Sequence, residues 1–225
     1  MPFVLDDAAP VNCFLCDVHG RGERELPWYD RPLIRREGVG VAFAAVGAFV
    51  PGYVLVAPVL HRPSVQSLPV DVALSLFDFL EFVVGRVERR YGPATIFEHG
   101  PCRSADRRRS ACILHSHVHV LPGAYSFGSL GLPVRTYGKL SELATMPQSQ
   151  RLDGYLMYRE PDGVLCYSGD VGVSQYFRRY IAGALGRPDE WDYAVFPEWE
   201  NVRMTQEALA EGVRDLAPAS GGDRG

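Results

Sequence analysis

Residues 112 to 123 read CILHSHVHVLPG, and three of the chain's six histidines, His115, His117 and His119, alternate strictly within that apolar run. Alternation among Ile, Leu and Val predicts a β-strand. Strand side chains repeat with period two, so all three imidazoles are expected on one face. An imidazole enclosed by apolar side chains needs a hydrogen-bond or metal partner. A fold built on this strand must therefore bring other polar groups to the same face, and the row points to metal ligation, phosphate chemistry or both.

The flanking segments predict what surrounds the strand. From Leu33 to His61, β-branched runs broken at Gly38, Gly40, Gly47 and the Pro51–Gly52 pair predict three antiparallel strands. From Val70 to Tyr91, Val72, Leu76, Phe79, Leu80, Val83 and Val87 recur at three and four, which predicts an amphipathic helix ended by Gly92 and Pro93. ATIFEHG is a short strand, and the basic loop PCRSADRRRSA leads into the histidine run. Strands, one long helix and strands again predict an α+β fold, with the helix packed on an antiparallel sheet.

Beyond Gly123 the pattern changes. Residues 124 to 153 read as loop. GYLMYREPDGVLCYSG predicts a hairpin turning at Pro161, Asp162 and Gly163. SQYFRRYIAGALG predicts a helix burying Tyr176, Phe177, Tyr180, Ile181 and Leu185, with Gly186 as its C-cap. A Trp-rich connector precedes a last helix from Met204 to Leu216 and a frayed tail near 217–225. The expected organisation is one unit over 1–123 and a hairpin-helix extension over 124–225 packed on it. There is no internal repeat.

Composition narrows the function. With 225 residues, 47% of them hydrophobic, the chain has ample material for a buried core. A net charge of -4 with 22% charged residues argues against nucleic acid or an anionic membrane as the main partner. No stretch reaches membrane-span length, and MPFVLDDAAP lacks the basic start and apolar core of a signal peptide, so a cytoplasmic location is expected. Five cysteines, two of them in a Cys-x-x-Cys pair, suit a reducing compartment and a metal site better than a disulfide framework.

The residues admit several readings. Cys13 and Cys16 fit a zinc half-site, a redox pair or two buried thiols. His61 ends the strand GYVLVAPVLH, and if that strand neighbours the histidine strand, His61 and His115 can complete a Cys2His2 site. A rival puts an open, hydrolytic zinc on His115, His117 and His119. A third reading makes His61 a loop cap and the thiols space fillers. Ser174, Gln175, Arg178 and Arg179 fit either an anion site at a helix N-terminus or an ordinary polar helix face.

HSHVHVLP resembles the signature of the histidine triad (HIT) superfamily, and PGYVLVAPVLHRPSVQSL resembles the strand, proline and histidine before that superfamily's long helix. The resemblance spans residues 11 to 123 and includes the order of parts: knuckle, strand-Pro-x-x-His, long helix, strand, loop, triad. It is closest in kind to the zinc-containing members, among them the galactose-1-phosphate uridylyltransferase branch. It implies a structural zinc on Cys13, Cys16, His61 and His115, which leaves His117 and His119 for chemistry. It implies that His117 attacks the α-phosphate of a nucleotide derivative to form a nucleotidyl-imidazole, and that His119 contacts phosphate oxygens or the leaving group. Glu98 and His99 stand where many members have asparagine. The longer loop offers Arg103, Arg107, Arg108, Arg109 and Ser110 as phosphate donors, the alternative being an ordinary solvated loop.

Two departures weigh on specificity. Ala111 and Cys112 replace the Gln-Ser or Gln-Thr before the triad, and Ala45 falls where many relatives carry the acid that grips the ribose hydroxyls. The resemblance thus implies a nucleotide hydrolase or nucleotidyltransferase, its partner a small nucleotide or phosphorylated molecule, assembled as a homodimer. The alternatives are the same fold acting on a non-standard phosphoryl compound in a specialised pathway, and a non-catalytic nucleotide-binding module.

Overall fold

The stretch 33–61 folds into the expected meander of β1 (Ile34–Arg36), β2 (Gly40–Ala44) and β3 (Val54–Pro58), paired antiparallel. The computed structural model describes residues 13–20, 25–100, 113, 115–161 and 163–214, with side chains to 210 in the last helix. Gly38 turns the first hairpin at φ +70. Gly40, expected as a break, instead opens β2; a Cβ there would collide with the Ala57 carbonyl of the facing strand. Its role is close packing, not interruption.

The helical period is realised without displacement. Helix α2 runs Val70–Tyr91 and buries Ala73, Leu76, Phe77, Phe79, Leu80, Val83, Val84 and Val87, then stops at Gly92 with φ +83. It packs on β2, β3, β4 (Ala94–His99) and β5 (Val118–Pro122). Burying each such Leu, Val or Phe contributes about 1.5–3 kcal/mol, so this contact anchors the helix more than helix propensity does. The guanidinium of Arg36 lies 5.0 Å from the Phe79 ring, which marks the sheet face carrying Ala42, Val56 and Val118 as the one under α2.

The histidine run departs from expectation. β5 begins only at Val118, so His119 alone of the three lies within the strand. The ladder with β3 runs Val54↔Val120, Leu55↔His119 and Val56↔Val118, and the next same-face rung would set Pro58 opposite Ser116. Pro58 has no N–H to offer. Ser116 N–H donates instead to the Arg62 carbonyl at 2.6 Å, and the chain carrying His115 and His117 leaves the sheet.

Residues 124–153, expected as loop, contain a 3-10 turn at Phe127–Leu130, strand β6 (Arg135–Tyr137), helix α3 (Leu140–Ala144) and a second 3-10 turn at Gln148–Gln150. They are pinned by buried Tyr125, Phe127, Leu140, Leu143 and Met146, anchors too irregularly spaced to show a period. The expected hairpin is β7 (Tyr155–Arg159) and β8 (Leu165–Gly169); Asp162 of its turn lies outside the described residues. β7 pairs with β4, which gives one eight-stranded antiparallel sheet in the order β1-β2-β3-β5-β4-β7-β8-β6. The α+β class stands as expected.

Helix α4 (Tyr176–Ala184) buries Phe177, Arg178, Ile181 and Ala182, while Leu185, expected in the buried face, is exposed. The face is rotated because carbonyls at Trp191 and Gly47 draw Arg178 inward. Helix α5 starts at Trp199, ahead of the expected Met204, and runs to Arg214. Its Asn201 and Thr205 side chains bond to the Ala48 carbonyl and the Gly52 N–H, pinning the loop between β2 and β3. Leu216 and the tail lie outside the described residues. Among the described residues no helix is long and apolar enough to cross a membrane.

Candidate functional site

Cys13 caps helix α1 (Phe14–Gly20), its carbonyl accepting from Asp17 N–H at 3.0 Å. Cys16 follows three residues later, so both thiols project from the first turn on one side. His61 trails β3 and His115 precedes the adjacent antiparallel β5, so the sheet brings them to the same end. Cys16 Sγ lies 3.3 Å from His61 Nδ1 and 3.6 Å from His115 Nδ1, Cys13 Sγ lies 3.6 Å from His115 Nδ1, and the two Nδ1 atoms are 3.2 Å apart. Metal–sulfur arms of about 2.3 Å and metal–nitrogen arms of about 2.0–2.1 Å, set tetrahedrally, give S···N edges of about 3.5 Å and N···N edges of about 3.3 Å. The four residues fit a tetrahedral ion.

The surroundings favour ligation. His115 Nε2 donates to the Pro58 carbonyl at 2.8 Å, which leaves the Nδ1 lone pair facing the thiols. Burial, and after it the neighbouring His61, His19 and His117, lowers His115 to about 4, so it is the neutral ligand form at ordinary pH. Burial and Cys13 push the Cys16 thiol up to about 11, so thiolates here call for a cation between them. Both cysteines are free. Among the described residues these four form the one cluster of His, Cys, Asp or Glu able to share an ion. His117 and His119 are outside it, unlike in the three-histidine reading.

The other sheet face carries a cavity of about 380 Å³. Its floor is one rung across β2, β3, β5 and β4: Phe43 faces Leu55, Leu55 faces His119, and His119 faces Phe97. His119 stacks on Phe97 with centroids 4.4 Å apart and planes 6° from parallel. Its Nδ1 is 2.6 Å from the Tyr53 hydroxyl. Burial, and then the charges of His117, Arg178 and His99, holds it well below the usual imidazole range.

His117 stands beside it, ring centroids 5.0 Å apart. Its Nδ1 is 2.9 Å from the His115 carbonyl oxygen. A carbonyl only accepts, so Nδ1 carries the proton and Nε2 the lone pair. Burial lowers its pKa, partly offset by that bond. Neither Nε2 has a partner among the described residues, and both residues line the cavity.

The remaining expected residues divide. His99 lines the cavity, its Nε2 donating to Asp170 Oδ1 at 2.8 Å while its buried Nδ1 has no partner among the described residues. Glu98 does not line it. Adjacent strand residues face opposite sides, and Glu98 lies beneath the sheet, accepting from Val65 N–H at 3.0 Å and from the Tyr155 hydroxyl. Arg103, Arg107, Arg108, Arg109 and Ser110, with Ala111 and Cys112, lie outside the described residues. Gln175 and Arg178 reach the cavity, whereas Arg179 is exposed and stacks on Trp191.

Sequence reasoning missed Asp30 and Tyr53. Asp30, from the turn Trp28–Asp30, lines the cavity and is pushed up to about 6 by burial. Nothing in PWYDRP separates it from a surface-loop acid. Ala45, at the position where the resemblance implies an acid, is an apolar part of the wall.

No protein-family model matches the chain, and no curated protein does. Among solved structures the chain is similar to the crystal structure of a hypothetical histidine triad nucleotide-binding protein from Sulfolobus tokodaii strain7, with 15% identity and a TM-score of 0.40 over 93% of this chain and 100% of that one.

Proposed function

We propose that the chain is a zinc-containing member of the histidine triad superfamily, a nucleotide hydrolase or nucleotidyltransferase acting through a covalent adduct on His117. One observation carries the reading: the His115 carbonyl holds the proton of His117 on Nδ1 and so presents the Nε2 lone pair to the cavity. That lone pair attacks the α-phosphorus. A P–N bond forms, the bond to the leaving group breaks, and its electron pair departs with the leaving group. The positive charge left on the imidazole is stabilised through Nδ1–H by the same carbonyl. Water or another acceptor then displaces the histidine.

Cys13, Cys16, His61 and His115 would hold the zinc, and as a closed four-ligand site it supplies folding free energy, not a reactive water. His115 links the two centres, ligating through its ring and orienting His117 through its backbone. Phe43, Phe97, Phe177 and Tyr193 suit a flat ring of the substrate, and Asp30 is an acceptor for ligand hydroxyls from a different element than Ala45. That relocation also favours the second reading, a non-standard phosphoryl substrate on the same fold. The partner is a small molecule, and the proposed assembly is a cytoplasmic homodimer.

The test is a turnover screen over dinucleoside polyphosphates, nucleoside phosphoramidates and nucleotide sugars, followed by His117→Gly. The variant should lose turnover by about 10³-fold or more with folding and zinc content intact, and acid quenching should trap the adduct on His117 of the parent. Near-normal turnover by His117→Gly on a substrate the parent uses overturns the reading.

A further inference from the structure

Tyr53 is fully buried just ahead of β3, and among the described residues its hydroxyl has one acceptor within reach, His119 Nδ1 at 2.6 Å. A buried hydroxyl proton left unused costs about 1–3 kcal/mol, so the Tyr53 O–H donates and His119 Nδ1 accepts. Behind Tyr53 stands Arg178 of α4, only 6% exposed. Its guanidinium carbon lies 4.5 Å from the Phe49 ring centroid and 5.9 Å from that of Tyr53. Its Nε donates to the Trp191 carbonyl at 2.8 Å and Nη2 to the Gly47 carbonyl at 3.0 Å. Gly47, at φ +74, is needed there: a Cβ would come within 2.7 Å of Nη2.

No carboxylate pairs with Arg178 among the described residues, so its cation acts on the groups around it. It favours the phenolic oxygen as acceptor and opposes any positive charge on His119.

We propose that Tyr53 and Arg178 are positioning residues that hold His119 as a neutral imidazole with its proton on Nε2, a fixed hydrogen-bond donor to the phosphoryl oxygens during transfer at His117. The proposal rests on the reading of His117 as nucleophile. The two rings then show opposite atoms to one cavity: His117 a lone pair, His119 an N–H. No proton leaves His119. As phosphorus passes from leaving group to His117, negative charge on its non-bridging oxygens meets the Nε2–H, and the Arg178 cation lends the same wall a positive field. Arg178 comes from residue 178 and its carbonyl partners from 47 and 191, so the C-terminal third takes part in setting the tautomer.

The decisive measurement is independent of turnover. Long-range ¹H–¹⁵N spectra of the zinc-loaded full chain, with His119 assigned by His119→Gln, should show the Nε2–H tautomer for His119 and the Nδ1–H tautomer for His117 at neutral pH. Tyr53→Phe keeps the packed ring and removes the donor. It should move His119 toward Nδ1–H, leave His117 unchanged, and lower kcat by about 10–100-fold with KM within about threefold, less than the full loss of an oxyanion donor. Arg178→Lys should keep the tautomer. His119 found with its proton on Nδ1, or doubly protonated, in the parent overturns the proposal, as does a Tyr53→Phe spectrum identical to the parent's. Absence of turnover on every substrate removes the reading of His117 and leaves the tautomer result to decide the positioning roles.

Discussion

Glu98 shows how much one residue's register decides. The sequence places it beside His99, and both invite a substrate role, yet period two allows only one of them at the cavity, and the fold gives it to His99. That exclusion was legible in the sequence; which of the two faced inward was not, because both faces of β4 are buried and its pattern does not alternate. Buried beneath the sheet, Glu98 is pushed up from 4.5 to about 7, burial outweighing the Tyr155 and Val65 bonds that favour its charge. An acid with a raised folded pKa binds its proton more tightly when folded. Its contribution to stability is whole below 4.5, is lost as pH rises to about 7, and stays lost above. Glu98→Gln removes that titration while keeping an acceptor for Val65 N–H. The thermal midpoint of the parent should therefore fall between pH 5 and pH 7.5 more steeply than that of the variant. Parallel profiles would mean that Glu98 is ionised throughout.

Helix α1 has seven residues, too few to persist alone in water, with Cys13 capping it and Cys16 in its first turn. Leu15 and Val18 bury one side of it, and on the proposed zinc reading the cluster with His61 and His115 ties down the other, so Cys13→Ala should reduce bound zinc below about half an equivalent and cost at least about 2 kcal/mol in denaturant unfolding, with chelation of the parent giving a similar loss. Unchanged stability on zinc removal would make the cluster incidental to the fold. Elements whose cores follow a single period were legible: α2 matches its expected span because eight buried side chains share one stripe, and the 33–61 meander and the 155–169 hairpin carry turn residues at their bends. β5 is shorter than its alternation predicts because a proline on the neighbouring strand, not its own sequence, ends its ladder. α4 was rotated because carbonyls distant in sequence draw in a charged residue that periodicity assigns to solvent. The cluster of Cys13, Cys16, His61 and His115 was legible as a set through the resemblance. Tyr53, Asp30 and Arg178 acquire their places only from the assembled sheet and its cover.

At the scale of the molecule, the residues after 123 complete a sheet that the first 123 leave open. β4 pairs with β5 on one side and with β7 on the other, so its second edge is closed from within the chain. The sheet's outer strands are β1 and β6, each of three residues, too short to template strong strand addition. A homodimer of this chain therefore cannot join through the edge of β4. The same C-terminal third sends Phe177, Arg178 and Gln175 to the cavity and Asp170 to His99. Tyr155 bonds Glu98, and Tyr167 bonds Gln66 at 2.6 Å, across the same boundary. Cutting the chain after Gly123 would bare the backbone edge of β4 next to Ile96 and Phe97, strip the cover from Phe97 and His119, and leave Glu98 buried without one of its donors. An apolar strand edge exposed in that way pairs with another copy. The truncated chain should consequently appear in light scattering as concentration-dependent oligomers or aggregate, while the full chain holds a constant mass over the same range. A truncated chain that stays monodisperse, retains zinc and keeps the Nε2–H tautomer of His119 would show that 1–123 folds as a complete unit and that the remainder merely rests on it.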